Sequence, residues 1–187
     1  DMDGKVYVVD NQRISVTMRQ SVLDAIALAE KGMNAKEIHD ILMREKLEAS
    51  IYITVDTLKY LKKGGRVTPA AAALGAVLNI KPVLATKGGK FDAVEKVRGM
   101  KKSIAKLLDY TEQTLDKLIE KNNVSQIRIG VAGTFLNQED ADNWYNMVKD
   151  RFVDIENIEY DPLSLVVAVH TGPNAAGIGI SVILRDE

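Results

Sequence analysis

The stretch LKYLKKGGRVTPAAAALGAVLNIKPVL, Leu58 to Leu84, carries the change in texture that decides how the chain is read. Asp56 or Thr57 can cap a short helix that runs through Lys63. The pair Gly64-Gly65 stops it, because glycine enters the left-handed conformation at little cost. Thr68-Pro69 opens the next helix, with proline at the first helical position. Ala70 to Ala73, Leu74, Ala76, Val77 and Leu78 leave no polar stripe, so this helix is expected to be buried on all sides. Past Gly75 the pattern becomes that of strands. Ile80 to Thr86 and Phe91 to Val97, joined by Lys87-Gly88-Gly89-Lys90, predict a β-hairpin. A boundary is therefore placed in the Lys63 to Pro69 region.

On the N-terminal side, Lys5 to Asp10 (KVYVVD) reads as a short buried strand. A helix over Val16 to Lys31 follows, with Val22, Ile26 and Ala29 at helical spacing and Gly32 as its stop. Asn34 and Glu37 have capping-box spacing, opening a helix to about Leu47. Ile51 to Val55 is a second strand, which makes the front a crossover in a parallel sheet. On the C-terminal side the pattern gives a helix from Met100 to Lys121, a strand at Gln126 to Ala132 and a helix from Gln138 to Phe152. Strands follow near Ile155 to Tyr160, Ser164 to His170 and Ile178 to Leu184. The whole reads as α/β or α+β: a parallel-sheet unit at the front, then a unit with a mixed or antiparallel sheet and covering helices.

Composition narrows the chemistry. A net charge of −1 on 187 residues gives no general attraction for nucleic acid. With no cysteine, disulfides, thiolate catalysis and Cys-ligated metals are all removed, which fits a cytoplasmic setting. Two histidines, His39 and His170, with no carboxylate cluster beside them, suggest no metal and no cofactor. No apolar run approaches the length of a transmembrane helix. The Walker-type phosphate loop, the G-x-S-x-G elbow and the H-E-x-x-H motif are all missing.

Four stretches could carry function, and each also has a plain structural reading. KKGGRVT (Lys62 to Thr68) offers glycine amides and three cations to a phosphate, or is a helix stop with cations at the negative helix end. HTGPNAAGIG (His170 to Gly179) puts an imidazole and the Thr171 hydroxyl at the end of an expected strand, where α/β folds bind ligands, or is a solvent-exposed turn. EKVRGMKKS (Glu95 to Ser103) gathers Lys96, Arg98, Lys101 and Lys102 as a docking surface for an acidic partner, or as a solvated face. The alanine segment is core packing or one wall of a ligand tunnel.

Taken together, TLKYLKKGGRV with LGAVLNIKPVL, EKVRGMKKS and VAVHTGP resemble the DegV family of bacterial lipid-binding proteins in order and spacing. VVDNQRIS (Val8 to Ser15) looks like that family's Asp-Ser strand end, with Asn11 in place of the usual serine. Asn174 stands where the family has Gly after Gly-Pro, a position that asparagine's tolerance of left-handed geometry can serve. The resemblance implies that residues 1–65 are the C-terminal part of an incomplete α/β first domain and 66–187 an α+β lipid-binding second domain. It also implies that loops absent from this sequence supply part of the head-group site.

What the resemblance implies about function is a carrier rather than an enzyme. A long-chain fatty acid lies in an apolar tunnel, and its carboxylate is presented to a separate ATP-dependent fatty-acid kinase subunit for phospholipid metabolism. The head group then falls to His170 and Thr171. The tunnel is assigned to Ala72, Leu74, Val77, Leu78, Ile80, Val167, Val169 and Ile178. Arg98, Lys101 and Lys102 would face the kinase or the phosphoryl group, and transient contact with a membrane surface is compatible with the role. Burying a sixteen-carbon tail gives roughly 10–12 kcal/mol before ordering costs, so the tail carries affinity and the head group sets orientation. Two rival readings remain: a small-molecule hydrolase or transferase using His170 as general base, and an assembly domain with no ligand.

Overall fold

The computed structural model describes residues 6–77, 79–86 and 88–184. In chain order they form α1 (Val16–Glu30), α2 (Ala35–Arg44), β1 (Ala49–Thr54), α3 (Lys59–Lys63), α4 (Pro69–Ala73), β2 (Ile80–Thr86) and β3 (Asp92–Arg98). Then come α5 (Met100–Ile119), β4 (Ile127–Gly133), α6 (Gln138–Arg151), β5 (Asn157–Pro162), α7 (Leu165–Thr171) and β6 (Ala176–Val182). The six strands make one mixed sheet in the order β3-β2-β1-β6-β4-β5. Only β4 and β5 run parallel, joined by α6; every other pairing is antiparallel. The α/β class, the hairpin and the covering helices are those the sequence predicts.

Alternation along the strands sends side chains to two different layers. Ile178, Ile180 and Val182 of β6 join Ile127, Ile129 and Val131 of β4 on one face. There they pack with Leu107, Leu108 and Leu115 of α5 and Trp144 and Val148 of α6. A second cluster, Ile53, Val55, Leu58, Leu61, Val67, Ala71, Leu84 and Ala175, holds α3 and α4 against β1 and β2. Two of the three predicted caps are present. The third is not, because α3 has Leu58 at its N-cap with no side-chain capping bond, and Thr57 Oγ1 accepts only from the Lys59 amide at 3.2 Å. The Asn34 side chain accepts from the Lys36 and Glu37 amides at 3.0 and 3.1 Å, and Glu37 accepts from the Asn34 amide at 2.8 Å. Thr68 Oγ1 accepts from the Ala71 amide at 3.2 Å.

Four expectations are corrected. Val6 to Asp10 has no regular structure, and Lys5 lies outside the described residues. Val6 and Val8 are 55% and 81% exposed; β-propensity without a neighbouring strand to pair with makes no strand. The front is not a parallel crossover, because β1 is antiparallel to both β2 and β6. Thus β1, which precedes the expected boundary, is hydrogen-bonded on both sides to strands that follow it.

The Ser164 to His170 segment is helix α7 rather than a strand, with 2.8 Å bonds from the Ala168 amide to Ser164 O and from the Gly172 amide to Ala168 O. A continuous apolar run of this length has no period that separates strand from helix, and both edges of β6 are already taken. Finally, the alanine helix is not buried on all sides. It is only five residues long before a 3₁₀ turn at Leu74–Ala76, and of Ala70 to Ala73 only Ala71 is fully buried.

Helix α1 lies on the sheet with its polar side inward. Thr17, Gln20, Ser21 and Asp24 are buried, whereas Met18, Val22 and Ile26 are exposed. The Asp24 carboxylate accepts from Gln20 Nε2 at 2.7 Å and from the Leu184 amide at 3.1 Å. Desolvation pushes its pKa above the ordinary 3.8, against those hydrogen bonds and the charges of Arg13 and Arg128. A carboxyl raised in this way destabilises the fold while ionised. The cost is fully present above the raised value and fades as pH falls through it toward 3.8. Asp24→Asn is therefore expected to raise the urea midpoint at neutral pH, with the gain vanishing near the ordinary carboxyl range. A variant less stable than its parent at neutral pH would mean that attraction to the two arginines outweighs desolvation.

Candidate functional site

The tip of the β2–β3 hairpin, the loop before α1, the start of the α3–α4 link and α7 converge on one cleft of about 480 Å³. Gln12, Arg13 and Ile14 come from the loop and Thr86, Gly88 and Gly89 from the hairpin. Leu61, Arg66 and Phe91 form one wall, and Val166, Val167, His170 and Thr171 of α7 the other. Beneath it a narrow pocket of about 60 Å³ continues, sharing Ile14, Phe91, Val167 and Thr171 with the cleft above. Its remaining walls are Ser15, Val16, Ile51, Ile53, Ala132, Leu163, Gly177, Ile178 and Gly179, so it is almost wholly apolar. Polar groups therefore gather at the mouth, and hydrocarbon lines the depth.

The mouth is held by the turn after α7. Thr134 Oγ1 donates to Gly172 O at 2.6 Å and accepts from the Ala175 amide at 2.9 Å, and the Asn174 amide donates to Thr134 O at 2.9 Å. Asn174 has the left-handed conformation expected of it, with φ 56°. The buried Thr171 hydroxyl faces Ala168 O at 3.4 Å and Gly172 O at 3.2 Å, which leaves its lone pairs free to accept. The half-buried His170 ring lies over Gly64 at the end of α3. A Cβ built on Gly64 would stand 2.2 Å from His170 Nδ1, so the missing side chain is what lets the imidazole reach this position. On the far side of that ring a second cleft, of about 440 Å³, is lined by Lys59, Tyr60, Lys63, Gly64, Val169 and His170. The imidazole thus stands between the cleft that opens onto the apolar pocket and a basic one. It does so from the end of a helix, not from the expected end of a strand.

Of the residues singled out from sequence, His170, Thr171 and Val167 are brought together here, whereas Ile178 borders the deep pocket with its side chain turned into the layer under α5 and α6. Val169 turns to the basic cleft. Ala72 and Leu74 are half-buried against the cluster under α4. Val77 and Ile80 line a separate cleft with Asp56 and Asn79, and Leu78 lies outside the described residues. Ala72, Leu74, Val77 and Ile80 therefore lie away from the apolar pocket. Arg98, Lys101 and Lys102 are exposed at the base of the hairpin, where Ile80 pairs with Arg98, roughly 20 Å along the strand from its tip.

The sequence assigned none of Gln12, Phe91, Ser15 and Val16 to the site, although Gln12 and Ser15 lie in the VVDNQRIS stretch. A signal for the deep pocket was present in Gly130, Gly177 and Gly179, since glycine inside a strand marks close approach of another group.

Residues 1–182 match the family described as "Uncharacterised protein, DegV family". A DegV domain-containing protein of Deinococcus radiodurans is 34% identical over 184 residues, covering 96% of this chain and 61% of its own length. The solved structure described as fatty acid binding of a DegV family protein from Thermus thermophilus superposes with TM-score 0.80 at 30% identity, covering 96% of this chain and 61% of that one. A stearic acid-binding protein from Eubacterium ventriosum gives TM-score 0.79 at 25% identity, over 96% of this chain and 60% of its own. The chain spans about three fifths of the length of the relatives it matches. No helix among the described residues is long and apolar enough to cross a membrane. By sequence along nearly its whole length and by its fold, the chain belongs to the DegV family.

Proposed function

We propose that this chain binds a fatty acid with its carboxylate at the His170–Thr171 turn and its tail running down into the narrow pocket. The observation that carries this reading is the joining of a mixed polar and apolar cleft to an almost wholly apolar pocket through four shared residues. The fatty-acid-binding relatives from Thermus thermophilus and Eubacterium ventriosum support the ligand class. A carboxylate buried without donors is costly, so an imidazole N–H and a nearby guanidinium such as Arg66 supply what its desolvation needs.

The chain further serves as the binding subunit for a kinase. His170 separates the acyl cleft from one lined by Lys59 and Lys63, which would let a phosphoryl group approach the carboxylate from the cationic side. The kinase would move the terminal phosphoryl group of ATP to a carboxylate oxygen, giving acyl phosphate and ADP. Arg98, Lys101 and Lys102 form a separate exposed set at the hairpin base and serve kinase docking instead.

His170→Ala in the full-length protein is expected to weaken fatty-acid binding about 10- to 100-fold, the worth of one hydrogen bond to a charged group. Affinity measured by competition, with coupled acyl-phosphate formation alongside, tests both parts. Unchanged affinity and turnover would remove His170 from the head-group role. Reversing the charges at Arg98, Lys101 and Lys102 should slow coupled turnover without altering affinity; unaltered turnover would end the docking assignment.

A further inference from the structure

Helix α1 crosses the sheet along β6, and the way it is seated limits the apolar pocket. Val16, its first residue, rests on Gly179, and eight residues later Asp24 reaches the Leu184 amide. The strands beneath form cross-rows. Ile53, Gly177 and Ala132 make the first, and Ile51, Gly179 and Gly130 the second. Ala49, Ser181 and Arg128 make the third. In the first two rows the centre of the sheet is nearly bare of side chain, so a groove runs along β6 under α1. Val16 fills it at the second row. A Cβ built on Gly130 would stand 2.3 Å from Val16 Cβ, and one on Gly179 would stand 2.5 Å from Val16 Cγ2 and 2.8 Å from Thr17 Cγ2. Beyond that row the surroundings turn polar: Gln20, Asp24 and Ser181 are buried there, and Gln20 Oε1, Asp24 Oδ2 and Arg128 Nε have no hydrogen-bond partner among the described residues.

We infer that Val16 is the end-stop of the acyl pocket and sets the longest chain the protein accepts, an inference that rests on the fatty-acid reading above. Its two methyl groups occupy the last stretch of groove that hydrocarbon could use. A tail that passed them would enter the polar layer and bury methylenes against unpartnered donors and acceptors, with no gain for the added length. The affinity gained per methylene therefore stops at Val16, not at the end of the sheet. The two glycines remain bare because the stop is supplied by the helix, so a change at one side chain of α1 is enough to move it.

The test uses the full-length protein and a series of even-numbered saturated fatty acids from decanoate to stearate, competed against one another and read by native mass spectrometry. With the parent, affinity should climb by roughly tenfold per two-carbon step and then level off or fall. Val16→Ala should carry the climb one member further, raising the ratio of the longer to the shorter chain by roughly tenfold. Val16→Ile, which adds one methylene to the stop, should end it one member earlier, and this opposed pair separates a stop from a general loosening of α1. Parallel changes across the series, or an unmoved turning point in both variants, would overturn the end-stop while leaving the fatty-acid reading intact. A parent that binds none of the acids would overturn both.

Discussion

Gly172→Ala is expected to destabilise the fold by about 2–6 kcal/mol and, on the proposed reading, to loosen fatty-acid binding with it. Gly172 ends α7 with φ 74° and ψ −177°, a region open almost only to glycine, and an alanine held there costs about 1–3 kcal/mol. The new methyl would also meet the Tyr60 ring, at 2.4 Å from Cδ2 and 2.7 Å from Cε2, and displacing the ring adds about 1–3 kcal/mol. Tyr60 stands on α3, and Gly64 at the end of the same helix gives room to His170, so the strain falls where the imidazole is positioned. The Gly172 carbonyl accepts from Thr134, which ties the turn to the end of β4, and that tie moves too. Urea unfolding and fatty-acid competition on the same variant check this. A midpoint within experimental error of the parent would show that the turn adopts another backbone conformation without cost.

Trp144→Ala should cost about 3–5 kcal/mol, the usual range for deleting a large buried aromatic side chain. Trp144 is 2% exposed on α6, inside the layer of Leu107, Ile129, Val131 and Ile178. Its Nε1 donates to Ala132 O at 3.2 Å, so the truncation opens a cavity and removes a donor from a buried carbonyl at once. Ala132 also lines the narrow apolar pocket, which puts Trp144 behind that pocket's wall. Trp144→Phe, which keeps most of the packing and loses the donor, should cost about 1–3 kcal/mol. Equal losses for the two variants would mean that the hydrogen bond, not the ring volume, holds α6 in place.

The local signals in the sequence were sufficient wherever the physics is local. Asn34 with Glu37 and Thr68-Pro69 start helices because a side-chain oxygen reaches an amide two or three residues away. The hairpin from Ile80 to Arg98 follows from two strand-like runs around a glycine pair. HTGP drew attention to His170 and Thr171 as an imidazole and a hydroxyl at a turn, and KKGGRVT to three cations beside glycine amides, Arg66 among them. All of this could be read without knowing what lay opposite.

Partnership was decided only in three dimensions. Lys5 to Asp10 and Ser164 to His170 have similar β-branched runs, yet the described part of the first has no regular structure and the second is a helix. A strand is completed by a neighbour's hydrogen bonds, and a short run does not encode whether the neighbour exists. The same holds for α1. Its spacing announces a helix, but the bare Gly130–Gly179 row, assembled from strands 49 residues apart in sequence, decides that Val16 and the polar side face inward. The apolar pocket lies where that helix meets that row, so it is a property of the packed sheet and not of any one stretch of the chain.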